Sequence, residues 1–208
     1  MLPYFILIEG IDGSGKDTLA NYLKEAIYEH FRYDPSSTLS IVGQPSYRFD
    51  ESGEVRKFIE EGIVSLPYAE MVEKLSANRR LHEQYLSKYK GIILCIRGLL
   101  TDLATLANRF GREHKGNLGQ KIQIDELIIL DTSPEVARQR IVERAIPTTW
   151  RESLEHLNFF RDYYIHHSDH LKVTKKRVLQ NLTHQEMRDT AHEITEQLSM
   201  KANLEEEE

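Results

Sequence analysis

The chain has 208 residues, 40% apolar and 29% charged, which suits one globular domain with a full core and excludes fibrous, disulfide-rich and disordered classes. Its formal net charge is −6, but Glu205 to Glu208 carry four of those charges; residues 204–208 read as an acidic disordered tail, and the near-neutral body excludes a basic nucleic-acid-binding surface. No apolar run approaches the roughly 20 residues that span a bilayer, the N-terminus lacks a signal peptide's charged opening, and Cys95 alone permits no internal disulfide; a soluble cytoplasmic protein with no membrane or nucleic-acid partner is expected.

The first apolar run, Tyr4 to Ile8, predicts a strand. Glu9-Gly10-Ile11-Asp12-Gly13-Ser14-Gly15-Lys16-Asp17-Thr18 follows, then an amphipathic stretch with Leu19, Leu23, Ala26 and Ile27 on one face. Strand, glycine-rich loop and helix form the setting of a phosphate-binding P-loop. The glycines let successive backbone N–H groups turn onto phosphate oxygens, the helix start adds its positive end, and Lys16 reaches the β- and γ-phosphates. ATP with Mg²⁺ is the expected ligand of Gly10 to Thr18. Asp17 stands where the pattern has Ser or Thr. Three readings compete for it: a carboxylate ligand to Mg²⁺, a solvated acid at a helix N-terminus, or the mark of a disabled site. Thr18 still offers a hydroxyl to a phosphate oxygen.

Four further apolar runs, Leu39 to Val42, Ile92 to Ile96, Leu127 to Leu130 and Val178–Leu179 with their neighbours, alternate with helix-period segments. That alternation predicts an α/β chain with a five-stranded, mostly parallel sheet flanked by helices. Arg97 closes the third run. Ligands of such sheets bind outside the carboxyl ends of the strands, and an arginine after five apolar residues is costly without a partner. Asn108 to Gly119 reads as a loop. Ser133-Pro134-Glu135 opens a helix with Ser as N-cap and Pro at its first position. Thr183-His184-Gln185-Glu186 is a capping box that opens another, with Met187, Ala191, Ile194 and Leu198 on one face. The run His166-His167-Ser168-Asp169-His170 fits no metal-ligand spacing.

The ordered set of motifs resembles the thymidylate kinases. Phe5 to Lys16 resembles the family's opening, and Leu75-Ser76-Ala77-Asn78-Arg79 its Phe-x-Ala-(Asp/Asn)-Arg helix segment. Ile92 to Arg97 resembles its strand ending in Asp-Arg-Tyr, and Leu130 to Ile141 its fourth strand and following helix. Arg144 with Arg151-Glu152 resembles its basic lid, expected over about 142–153 of a single P-loop kinase domain, 1–203. The resemblance implies the P-loop NTPase fold, a homodimer, and transfer of the ATP γ-phosphoryl group to a nucleoside monophosphate, usually dTMP. It assigns Arg97 to the acceptor phosphate, Asp12 to the acceptor's 3′-hydroxyl, and Arg79 to the base. Arg48, beside Gln44-Pro45-Ser46-Tyr47, is assigned to the phosphate with a shift of one position. Lys16 with Arg97, Arg144 and Arg151 forms the catalytic set, and Arg140 is a further candidate. Gly13 stands at a variable position that is basic in some P-loops, so the lid must supply the transition-state cation.

The chain departs from that pattern at Ile96, where the family has Asp, at Leu75, where an aromatic stacks on the base, and at Gly98, where it has Tyr. Loss of the acid at 96 and its gain at Asp17 suggest that the carboxylate facing the metal has moved from the end of the third strand to the P-loop helix. Tyr68, Tyr163 and Tyr164 are candidates to replace the stacking ring, with helix packing the plainer role for the last two. Two other functions compete. A deoxynucleoside kinase needs a base for its acceptor hydroxyl, which Gln44 cannot be. A catalytically decayed nucleotide-binding protein would follow from the losses at 17, 96 and the base site.

Overall fold

The computed structural model describes residues 4–31, 39–43, 47–89, 91–116, 118–119, 121–144 and 149–206. Among them, five strands form one parallel sheet: β1 (Tyr4–Gly10), β2 (Leu39–Gly43), β3 (Ile92–Ile96), β4 (Ile124–Asp131) and β5 (Val173–Gln180), in the order β2-β3-β1-β4-β5. The central strands read as unbroken apolar runs because both faces are buried. Alternate residues part to opposite sides. Ile6, Ile8, Leu94, Ile128 and Leu130 pack under α1 (Lys16–Phe31) and the C-terminal helix. Phe5, Leu7, Ile93, Cys95, Leu127 and Ile129 face the other layer.

That second layer holds α2, a short helix Glu54–Arg56 running on as a π turn through Lys57–Glu61, then α3 (Tyr68–Leu86), α4 (Leu99–Phe110) and α6 (Leu154–His167). Between β4 and α6, α5 (Pro134–Glu143) starts as its sequence directs: Ser133 Oγ accepts from the Val136 amide, with Pro134 in the first turn. The last helix, α7 (His184–Glu206), lies along α1 and opens on the Thr183–Glu186 box. Its backbone is helical through Glu206, into the segment expected to be a disordered tail.

The structure refines three local readings. The segment expected as a loop from Asn108 stays helical to Phe110 and ends at Gly111, because α4 is apolar enough to remain packed until a left-handed glycine stops it. The fifth strand, expected around Val178–Leu179 with their neighbours, spans Val173–Gln180. It is an edge strand, and its inward-leaning cations are paired: Arg177 reaches Glu126 and Glu193. Leu75 is only 1% exposed and belongs to the core beneath α3, so it presents no surface to a base. No helix among the described residues is long and apolar enough to cross a membrane.

Candidate active site

The loop after β1 emerges at the centre of the sheet, where the connection from β1 runs to β2 on one side and the connection from β3 runs to β4 on the other. This is the crevice in which parallel α/β sheets bind ligands. Lys16, the first residue of α1, is buried and folds back to donate to the carbonyls of Gly10 and Ile11, each at 2.7 Å. Burial and the neighbouring Arg97 lower its ammonium to about 8. Ser14 Oγ is buried without a hydrogen-bond partner, an orphaned group inside the cradle that an anionic oxygen would satisfy. Gly13 has φ 81°, and a Cβ there would stand 2.4 Å from the Ala137 carbonyl oxygen of α5. No side chain fits, so this loop cannot carry a cation of its own at that position.

Cations reach the loop from two other elements instead. Arg97 donates from Nη2 to Asp12 Oδ1, Arg151 Nε lies 3.6 Å from Asp12 Oδ2, and Lys16 Nζ lies 3.9 Å from Oδ1. Burial alone would raise the Asp12 carboxyl, but Arg97, Arg151 and Lys16 outweigh it and hold it well below the usual carboxylate range. Burial likewise disfavours the Arg97 charge, yet Asp12 more than restores it and raises that guanidinium. One carboxylate facing three cations leaves a positive excess, the electrostatics of an anion site.

Arg97 has φ 65°, the left-handed region that a non-glycine residue enters at a cost of about 1–3 kcal/mol. Its amide donates to the Ile8 carbonyl at 2.9 Å, and its carbonyl accepts from Cys95 Sγ. The strained turn thus hangs on both sides of the β1–β3 pair.

Directly beneath sits Glu9, fully buried at the end of β1. Its Oε2 accepts from Thr101 Oγ1 at 2.7 Å and its Oε1 lies 3.4 Å from the Thr101 amide in the first turn of α4. The same hydroxyl meets Tyr164 Oη at 3.2 Å. Glu9 therefore ties the strand that carries the P-loop to the helix that follows Arg97. Burial raises its carboxyl to about 7, against the lowering effect of the Thr101 bonds.

Of the residues expected in the site, Gly10 to Thr18, Arg97 and Arg151 come together. Asp17 is exposed in the first turn of α1, and its charge reaches Lys16 and Arg97. Ile96 packs on the α1 side of the sheet, so positions 17 and 96 share that side. Arg79 is buried against Asp102 of α4, its Nη2 bound to Asp102 Oδ2. Burial raises the Asp102 carboxyl against the pull of Arg79.

Arg48 is not with the others. Its guanidinium lies 4.9 Å from the Tyr85 ring, in a cleft of about 760 Å³ bounded by Asp50, Lys74, Ala77 and Leu81. The reason is local: Tyr47 and Arg48 share one 3-10 turn, and Tyr47 takes the inward direction. Burial and a hydrogen bond to Glu60 push the Tyr47 phenol up, while Arg151 and Arg97 oppose the shift from across the site. Arg144 is bound to Glu152 at 3.1 Å and is half exposed. Arg140 lies 3.5 Å from the carbonyls of Gly13 and Leu182, bridging the P-loop to the β5–α7 turn. Gln44 and the middle of the lid, 145–148, lie outside the described residues.

The tyrosines considered for base stacking are engaged elsewhere. Tyr68 meets Phe110 and binds His114, Tyr163 stacks on His167 at 3.9 Å, and Tyr164 is in the Glu9 network. Glu9, Thr101 and Tyr47 were not singled out from sequence. Glu9 carries the same signal in the sequence as Arg97, an ionisable residue ending an apolar strand. Tyr47 and Thr101 carry no such signal. Among the described residues no group of three His, Cys, Asp or Glu is placed to hold a metal.

No protein-family model matches the chain. The probable thymidylate kinase 1 of Saccharolobus solfataricus is 31% identical over 173 residues, which cover 77% of this chain and 80% of that protein. A thymidylate kinase of Leptospira interrogans is 29% identical over 178 residues, covering 78% and 80%. Among solved structures, the thymidylate kinase of Ehrlichia chaffeensis superposes with a TM-score of 0.60 at 19% identity, over 95% of this chain and 100% of that one. The Candida albicans thymidylate kinase gives 0.64 at 15% identity, over 95% and 93%. At these identities the superpositions show a shared P-loop NTPase fold.

Proposed function

The chain belongs to the thymidylate kinase family, and on that premise we propose that it moves the γ-phosphoryl group of ATP to a nucleoside monophosphate, with dTMP as the expected acceptor. One observation carries the reading: Lys16, Arg97 and Arg151, from three separate elements, converge on Asp12 beside the P-loop. Phosphoryl transfer asks for positioned positive charge around the moving group and little covalent chemistry.

In this reading Gly10 to Thr18 cradle the ATP phosphates, and Lys16 leaves the Gly10 and Ile11 carbonyls for the β- and γ-oxygens. Arg97 binds the acceptor phosphate and Arg151 neutralises charge on the transferring group. Asp12 holds those cations together and aligned until phosphates replace its contacts, then addresses the acceptor sugar. Tyr47 closes the acceptor side. Arg79 is 3% exposed and paired with Asp102, so addressing the base requires it to leave that ion pair. Arg144 supports Arg151 through Glu152. An ionised phosphate acceptor needs no general base, in keeping with a site whose further buried carboxyls, Glu9 and Asp102, are bound to Thr101 and Arg79.

Mg²⁺ fits these residues. Mg²⁺ on a nucleotide commonly takes one or two carboxylates with phosphate oxygens and water, and Asp17 supplies one exposed carboxylate in the first turn of α1, within electrostatic reach of Lys16 and Arg97. When bound, the ion shields β- and γ-phosphate charge. A homodimeric enzyme in the cytoplasm, where ATP is abundant, completes the proposal.

The test is ATP-dependent phosphorylation of a panel of nucleosides and nucleoside monophosphates with Mg²⁺ varied. Preference for dTMP is the expected result. Preference for a nucleoside would replace the reading with a deoxynucleoside kinase, and ATP binding without transfer to any acceptor would leave a nucleotide-binding protein.

A further inference from the structure

Arg151 reaches the anion site from a single 3-10 turn, Trp150–Glu152, and the residue before it is held with unusual care. The Trp150 indole lies flat over Gly62, the glycine that ends the π turn of α2 with φ 67°. A Cβ on Gly62 would come within 2.8 to 2.9 Å of three indole atoms, so the seat exists only because that position is glycine. From the last turn of α4, the Arg109 guanidinium lies 4.8 Å from the ring centroid. His156 meets the ring edge-on at 5.1 Å, and Phe160 packs at 6.0 Å, both from α6. The indole N–H is buried without an acceptor, so ring shape and the cation hold it, not a hydrogen bond.

Successive side chains of a 3-10 turn point about 120° apart. Seating the indole therefore fixes the direction of its neighbour, and the Thr149–Glu152 capping box closes the turn from the other end. Arg151 is 6% exposed, with its Nε 3.6 Å from Asp12. The π turn that supplies the seat also supplies Glu60 to Tyr47, on the acceptor side. One side chain thus links α2, α4 and α6 to the aim of Arg151.

We propose that Trp150 is a positioning residue for phosphoryl transfer, its indole locked between Gly62 and Arg109 so that Arg151 enters the site already oriented. The proposal rests on the kinase reading of the site, and its test separates the two. Turnover of the parent protein is measured first, then Trp150→Ala, Arg151→Ala and the double variant, with kcat and KM for ATP and acceptor.

Loss of the arginine is expected to cost about 100-fold in kcat, the scale of one transition-state charge contact. Trp150→Ala should cost at least about 10-fold in kcat with KM for ATP changed less than about 3-fold, and the double variant should fall within about 3-fold of Arg151→Ala alone. If the two losses multiply, or Trp150→Ala turns over normally, Trp150 does not act through Arg151 and the proposal is overturned. A parent protein without turnover overturns the kinase reading itself.

Gly62→Ala carries the same test if Trp150→Ala does not fold. Trp150 is the chain's single tryptophan, so its emission reports the seat directly without catalysis. Arg151→Ala should leave the emission unchanged, and Gly62→Ala should shift it to the red and open it to acrylamide. An emission unmoved by Gly62→Ala would refute the seat.

Discussion

Replacing Glu9 by Gln removes a charge from the buried floor of the site while keeping an oxygen for Thr101. Glu9 is wholly buried, faces the Thr101 hydroxyl and amide and the Tyr164 hydroxyl through Thr101, and lies within electrostatic reach of Asp102 and Lys16. Burial raises its carboxyl from 4.5 to about 7. A raised acid binds its proton in the native state where the unfolded chain has lost it. Stability therefore falls as pH rises between those two values, and the loss is complete above the upper one. A shift of that size corresponds to about 3 kcal/mol. The Gln variant cannot ionise, so it escapes this loss. Urea unfolding of both proteins at about pH 5 and about pH 8 should show the variant gaining on the parent by up to about 3 kcal/mol at the higher pH. A variant that loses equally at both pH values would mean that Glu9 is stabilised as a carboxylate, and the burial reasoning would be refuted.

Three more outcomes follow from the same geometry. Because burial lowers Lys16 to about 8 and phosphates favour its charged form, ATP binding above that pH should take up a proton and weaken as pH rises; calorimetry in buffers of different ionisation enthalpy measures the uptake, and binding without it would refute the assignment. Asp17→Ala should raise the Mg²⁺ concentration for half-maximal turnover several-fold while leaving acceptor KM unchanged, and an unchanged Mg²⁺ titration would remove Asp17 from the metal. Gly13→Ala should cost about 3 kcal/mol or more, from a Cβ 2.4 Å from the Ala137 carbonyl on a left-handed backbone, and a thermally neutral variant would show that α5 gives way there.

Much of this site is legible in the sequence because its parts are local. The P-loop is contiguous, and the strand before it and the helix after it show in their apolar periodicity. Arg97 was legible by cost: an arginine after an apolar strand needs a partner, and Asp12 is that partner. Helix starts at Ser133 and Thr183 were legible because a cap is a contact over three residues.

What remained hidden depends on which way a side chain turns or on contacts between distant segments. Tyr47 and Arg48 are neighbours on one turn, and only packing decided that the tyrosine faces the site and the arginine faces Tyr85. Leu75 stands where the family pattern has a base-stacking aromatic, yet it lies in the core.

The chain's own residue order thus determined the phosphate-binding loop, the parallel α/β framework and the family, because each is written in short-range pattern. The tertiary structure alone decided the floor and the aim of the site. Glu9 meets Thr101 across 92 positions, and Arg97 meets Asp12 across 85. The glycine at 62 matters only because the fold lays Trp150 over it. Pairings at such separations leave no periodic trace in a sequence, since their partners are chosen by how sheet and helices pack.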